Sequence, residues 1–167
     1  MCTAGRRAFQ APQADVHRGR RGRRDAGCAT RDNVVVPTTQ IKAALRIAGD
    51  HGSVAQISRV IGLTPTSSHD VGDQRSESDP RPWQHMHWAL DSGVPDDAGL
   101  EHHLAALCDV MEPRAAALRE LHRAAFQMDW FCLIGIDGRQ GGVVLSPRLL
   151  NRLASLPVEL GLDIYAS

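Results

Sequence analysis

Two stretches of this chain carry the same order of signals, a strand, a serine-capped helix and a second strand, and that repetition limits the fold more than any other feature. Over Thr39 to Ala48, Ile41, Ala43, Leu45 and Ile47 alternate with Gln40, Lys42, Ala44 and Arg46, the period of two of a strand with one buried face. Gly49-Asp50-His51-Gly52 supplies a turn, and Ser53 with Gln56 three residues on makes a capping-box start for a helix. Val54, Ile57, Val60 and Ile61 fall at helical spacing, and Gly62 stands where a helix commonly ends in the left-handed conformation.

A polar passage from Thr64 to Pro82 is rich in turn formers and reads as a long loop, a class that more often serves function than filler. The stretch Trp83-Gln84-His85-Met86-His87-Trp88 then opens a second strand, from about Gln84 to Leu90. The alternation turns Met86 and Trp88 inward and leaves Trp83, His85 and His87 on the half-solvated side.

Leu100, Leu104, Leu107 and Met111 share one helical face, while Leu118, Leu121 and Ala125 continue a second helix with Pro113 in its first turn. The apolar run Trp130 to Ile136 suits a central strand covered on both faces. After a turn region at Gly138 to Gly142, Ser146-Pro147 starts a further helix with serine as N-cap and proline at its first position. Leu149, Leu150, Leu153 and Leu156 form its stripe. Val158, Leu160, Leu162 and Ile164 alternate with Glu159, Gly161, Asp163 and Tyr165 as a closing strand.

Right-handed crossovers make each strand-helix-strand unit parallel. The expected fold is therefore α+β: two βαβ halves forming a four-stranded ferredoxin-like sheet, with helices packed on it and a helical pair inserted between the halves.

At 167 residues the chain has room for one ordinary domain. Residues 1 to 33 carry eight arginines against three aspartates, a net of +5, which leaves the rest with eleven basic and sixteen acidic groups, a net of −5. Phe9 is the one large aromatic of this segment, so it cannot build a core, and we expect a disordered basic tail over 1–33 and a single α/β domain over 34–167. The tail's arginine clusters suit weak phosphate-backbone binding. Eighteen arginines to one lysine, Lys42, suit GC-rich coding with a start assigned too far upstream, and an inert or mis-assigned tail is the reading preferred over nucleic-acid binding. The acidic body is unsuited to nucleic acid.

Cys2, Cys28, Cys108 and Cys132 show no metal or disulfide spacing, and the last two read as small buried hydrophobes. No apolar run approaches the ~18 residues of a membrane helix and no secretory h-region is visible, so a cytoplasmic, soluble chain is expected.

His85 and His87 lie about 6.5 Å apart if both are in one strand, close enough to share a metal ion, but no further ligand stands at a recognisable motif spacing. The plainer reading is two surface histidines beside a long loop. That loop holds Ser67, Ser68, His69, Asp70 and Asp73, a set without G-x-S-x-G or any other hydrolase motif. Asp163 stands opposite the closing strand's apolar stripe. His102 and His103 diverge by about 100 degrees on a helix, so one borders the core and the other faces water. The glycine-rich Gly135 to Gly142 fits neither a dinucleotide nor a phosphate loop. No cofactor is implied.

The stretches "AALRIAG", "SVAQISRVIGLTPT" with its sequel "HDVGD", "HWALDSG" and "LSPRLLNRLASLPVELGLDIY", in that order, resemble the bacterial family of domain of unknown function DUF4279. The resemblance covers about Thr38 to Tyr165 and excludes the tail. It implies no activity, cofactor or catalytic residue. With no catalytic constellation, we expect a non-enzymatic binding domain for a protein partner, of immunity or accessory type, with His69, Asp70, Asp73, His85, His87 and Asp163 as contact residues. The competing expectations are a metal-dependent or hydrolytic enzyme using His85, His87 and the His69–Asp73 loop, and a small-molecule sensor. Oligomeric state is not legible.

Overall fold

The alternation at Gln40 to Ala48 holds for every large side chain, while the small outward Ala44 is also buried. Ile41, Ala43, Leu45 and Ile47 are buried, and the intervening side chains point the other way. The computed structural model describes residues 38–136 and 142–166; the expected basic tail and all but Gly142 of the turn region expected at Gly138 to Gly142 lie outside the described residues. All described elements belong to one compact unit. In chain order these are β1 (Thr38–Gly49), α1 (Val54–Ile61), β2 (Ser67–His69), β3 (Met86–Asp91), α2 (Leu100–Met111), α3 (Ala115–Arg123), β4 (Gln127–Ile136), α4 (Pro147–Ala154) and β5 (Glu159–Ala166). A 3-10 turn over Glu112–Arg114, holding Pro113, joins α2 to α3.

The local signals perform as their chemistry requires. Ser53 Oγ accepts from the Gln56 amide at 3.3 Å, and Gly62 ends α1 at φ +74°. Ser146 Oγ accepts from the Leu149 amide at 3.2 Å ahead of Pro147. Each cap satisfies an end group that the helix itself leaves open.

The sheet has five strands, not four, in the order β2-β3-β1-β4-β5. The added strand is β2, inside the expected loop. Its three polar residues have no periodicity to announce them. They exist as a strand because β3 offers a free edge: the Thr66 amide and hydroxyl both donate to the Ala89 carbonyl, at 2.8 and 3.2 Å, and the Asp91 amide donates to Thr66 Oγ1 at 3.0 Å.

That insertion also corrects the first half. β1 and β3 are antiparallel neighbours, and β2, antiparallel to β3, is the strand that runs parallel to β1. The crossover through α1 thus returns one strand further out, and β3 fills the gap. The second half keeps its expected parallel direction across α4, but β5 lies directly beside β4 at the sheet's edge and is not interleaved with the first half. β1 is the middle strand, and β4 starts at Gln127 and is covered on one face only: Met128, Trp130, Cys132 and Ile134 are buried while Phe131 and Leu133 are half-buried.

All four helices cover the same face. Their buried residues, among them Ile57, Leu104, Leu118 and Leu153, form one cluster with the inward side chains of β1, β3 and β4. Trp88 sits in it fully buried and donates its indole N–H to Ser58 Oγ of α1 at 3.0 Å. Of the adjacent pair on α2, His103 is buried and His102 exposed; His103 Nδ1 lies 2.7 Å from Ser92 Oγ. Cys108 and Cys132 are free and buried, and burial pushes the Cys132 thiol up to about 12, which leaves it an inert hydrophobe. Arg152 reaches from α4 to Glu112 and Asp109, 2.6 Å from each, and pins α4 to the end of α2.

Leu104 is fully buried in the cluster that joins the helices to the sheet, so Leu104→Ala is expected to lower the free energy of unfolding by about 2–5 kcal/mol. Gly62→Ala meets open space but forces a positive φ and should cost about 1 kcal/mol. Urea denaturation measures both, and a loss from Leu104→Ala as small as that from Gly62→Ala would contradict the core placement.

Candidate functional site

Because every helix lies on one side, the other face of the sheet carries side chains fixed by register but covered by no element among the described residues. The alternation of β3 that buries Met86 and Trp88 turns His87 onto this face, and register sets it opposite His69 of β2 and Ala48 of β1. The His69 and His87 rings stack with centroids 5.2 Å apart, and His69 lies on Trp83 at 3.8 Å and 12°. The Arg75 guanidinium sits 4.6 Å over the same indole.

The loop is built to hold this stack. Gly72 N–H donates to the Trp83 carbonyl and Trp83 N–H to the Asp73 carbonyl, both at 2.9 Å. Asp70 Oδ1 accepts the amide of Val54 at 2.8 Å, serving the N-terminus of α1, and Asp73 Oδ2 accepts the amide of Asp70 at 2.7 Å. Asp70 and Asp73 are therefore structural acceptors that tie the loop down.

The centre of the face belongs to Arg46 of β1. Its Nε donates to Asp129 Oδ1 at 3.0 Å, its second arm bonds Asp129 Oδ2, and its guanidinium lies 3.9 Å above the Phe131 ring. Gly161 on β5 leaves the space this needs: a Cβ there would stand 3.2 Å from Asp129 Oδ2. Asp163 adds a second negative charge that favours the Arg46 cation and itself accepts the Tyr165 hydroxyl at 3.0 Å. An open depression of about 970 Å³ runs from Arg46, His87 and Asp129 to His122, Phe126 and Glu159 beyond the sheet's end.

Electrostatics divide the row into a charged half and a neutral half. The hydrogen bonds to Asp129 raise the Arg46 pKa against the cost of burial. His87 is lowered by burial first, then by His69 and Arg46; His69 is lowered chiefly by burial. Both imidazoles are therefore neutral at pH 7 and act through ring faces and neutral hydrogen bonds.

Of the residues expected from sequence, the structure brings His69 and His87 together, with Trp83 beside them. His85 is exposed, its Nδ1 2.5 Å from Asp50 Oδ1 in the turn after β1, so the two histidines of the His-x-His stretch have separate partners. Among the described residues no group of three or more His, Cys, Asp and Glu side chains could hold a metal ion. Within the same residues, His69, His85 and His87 have no serine or cysteine hydrogen-bonded to a ring nitrogen. Sequence reading missed Arg46, Asp129, Phe131 and Arg75. Arg46 stood at an outward position of the alternation, but only the β1-β4 register shows that Asp129 faces it.

The lowered His87 pKa has a direct check. In a proton NMR titration its midpoint should fall below the ordinary 6.5 and move upward in Arg46→Gln, which removes a repelling cation and leaves Asp129. A wild-type midpoint at or above 6.5 would contradict the stacked, half-buried geometry. The sign for stability follows: the unfolded chain binds the proton first, so the contribution is complete above pH 6.5 and lost as pH falls below it.

No helix of the described residues is long and apolar enough to cross a membrane. No curated protein matches this chain, and no solved structure matches it either. The model of one family, the domain of unknown function DUF4279, matches residues 39–167, which takes in every helix and strand described above except the first residue of β1. The chain belongs to the DUF4279 family.

Proposed function

We propose that this chain is a small non-enzymatic domain that binds a protein partner on the open face of its sheet. The observation that carries the reading is the row Trp83, His69, His87, Arg46 and Phe131, whose side chains are ordered by stacking and ion pairing within the chain itself. Tryptophan and arginine dominate binding energy at protein interfaces. Side chains already held in place lose little rotamer entropy when a partner arrives. The loop of Asp70 and Asp73, with its links to α1, adds a rim to that face.

Occlusion of a partner, as an accessory or immunity-type protein would achieve it in a bacterial cytoplasm, belongs to this reading. So does a finer account of the fold: β1 to β4 as a ferredoxin-like unit, with α4 and β5 added at one edge. The strand order β2-β3-β1-β4 and the interleaved crossovers support that description.

The test begins with recovery of a partner from the protein's own source cells on immobilised full-length chain, and is decided with purified components. Calorimetric titration should give a Kd at least tenfold weaker for Trp83→Ala/Phe131→Ala, a loss of about 1.4 kcal/mol, with the circular dichroism spectrum unchanged. Equal affinity of the wild type and that variant would overturn the proposal.

A further inference from the structure

The edge strand β5 breaks a rule that the rest of the sheet keeps. Leu160, Leu162 and Ile164 pair in register with Trp130, Cys132 and Ile134, which places them on the helix-bearing face. Yet they are 41%, 47% and 56% exposed, and Leu150 of the neighbouring α4 is 45% exposed. Among the described residues no strand lies beyond β5. Natural sheets shorten, charge or cover such an edge, whereas β5 runs for eight residues with no lysine or proline, and its two charges, Glu159 and Asp163, lie on the face opposite the aliphatic stripe.

We infer that a second copy of this chain covers it, through antiparallel pairing of two β5 strands about a two-fold axis at Leu162. The sequence of the strand is self-complementary in that one register. Leu162 then faces Leu162, Leu160 faces Ile164, Gly161 faces Asp163 and Glu159 faces Tyr165. All three aliphatic residues find aliphatic partners, and no like charges oppose each other. A one-residue slip would put the aliphatic stripe against the polar face. The smallest slips that keep the faces matched are two residues either way. One sets Glu159 opposite Asp163 and the other sets Asp163 opposite its own copy, so repulsion excludes both. A two-fold contact uses the same patch on both copies and closes on itself, which joins two five-stranded sheets into one continuous sheet. The row around Arg46 and His87, on β1 and β3, stays clear of it.

Sedimentation of the full-length chain tests this. The wild type should sediment at twice 18.2 kDa and Leu162→Lys at half the wild-type mass, with an unchanged circular dichroism spectrum. Leu162→Cys, which keeps a small apolar side chain on the axis, should form a 162–162 disulfide under mild oxidation, identified by mass spectrometry of the linked peptide. This second variant decides the matter should the lysine variant misfold. A wild type that stays at the mass of one chain at its highest soluble concentration would overturn the proposal. So would a dimer that survives Leu162→Lys, or one that depends on residues 1–37 while Leu162→Lys leaves it intact.

Discussion

One-sided burial of β1 is the constraint from which the rest of the structure follows. Ile41, Leu45 and Ile47 enter the core shared by all four helices, and full burial of each stabilises the fold by about 1.5–3 kcal/mol. Sliding β1 by one residue would exchange that whole set for Gln40, Lys42 and Arg46, so register is fixed by the core and not by the outer face. The outer face inherits its geometry. Arg46 meets Asp129, and His87 meets His69, because the inward residues leave them nowhere else to be.

The Arg46–Asp129 pair therefore matters more for placement than for stability. Its side chains are 38% and 26% exposed, a range in which ion pairs contribute about 0–1 kcal/mol. What the pair does is hold a cation 3.9 Å over the Phe131 ring in the middle of an otherwise uncovered surface. Beside it the histidine stack is neutral and ends on Trp83, whose indole lies under the Arg75 guanidinium, so the face carries a paired cation at its centre and a second cation on an aromatic stack at its edge.

Legibility from sequence tracked the range of the interaction that decides each feature. Caps and stripes depend on residues within a turn or two, and Ser53 with Gln56, Gly62, Ser146-Pro147 and the inward set of β1 were readable for that reason. The parallel β4-α4-β5 unit was readable because its strands are adjacent in the sheet. The first half misled because a three-residue polar strand has no period, and without it the crossover through α1 seems to end on β3. Arg46 and Asp129 are 83 residues apart, and nothing local marks either as more than a solvated charge. The Leu160, Leu162 and Ile164 stripe was read correctly as to side, but a strand pattern does not tell an interior strand from an edge one. Asp70 and Asp73 resembled catalytic vocabulary because the short polar residues that build turns are also the ones that do acid-base chemistry.

One face of the sheet is packed and the other bare and pre-ordered, and the distribution of the three tryptophans tests this within a single molecule. Trp88 and Trp130 are fully buried under the helices, while Trp83 stands half-buried beside His69 on the open side. Hydroxyl-radical footprinting of the full-length free protein, read by mass spectrometry, should oxidise Trp83 and His87 and leave Trp88, Trp130 and Met86 protected. Protection of Trp83 and His87 to the level of Trp88 would mean that the open face is covered, and would contradict the account.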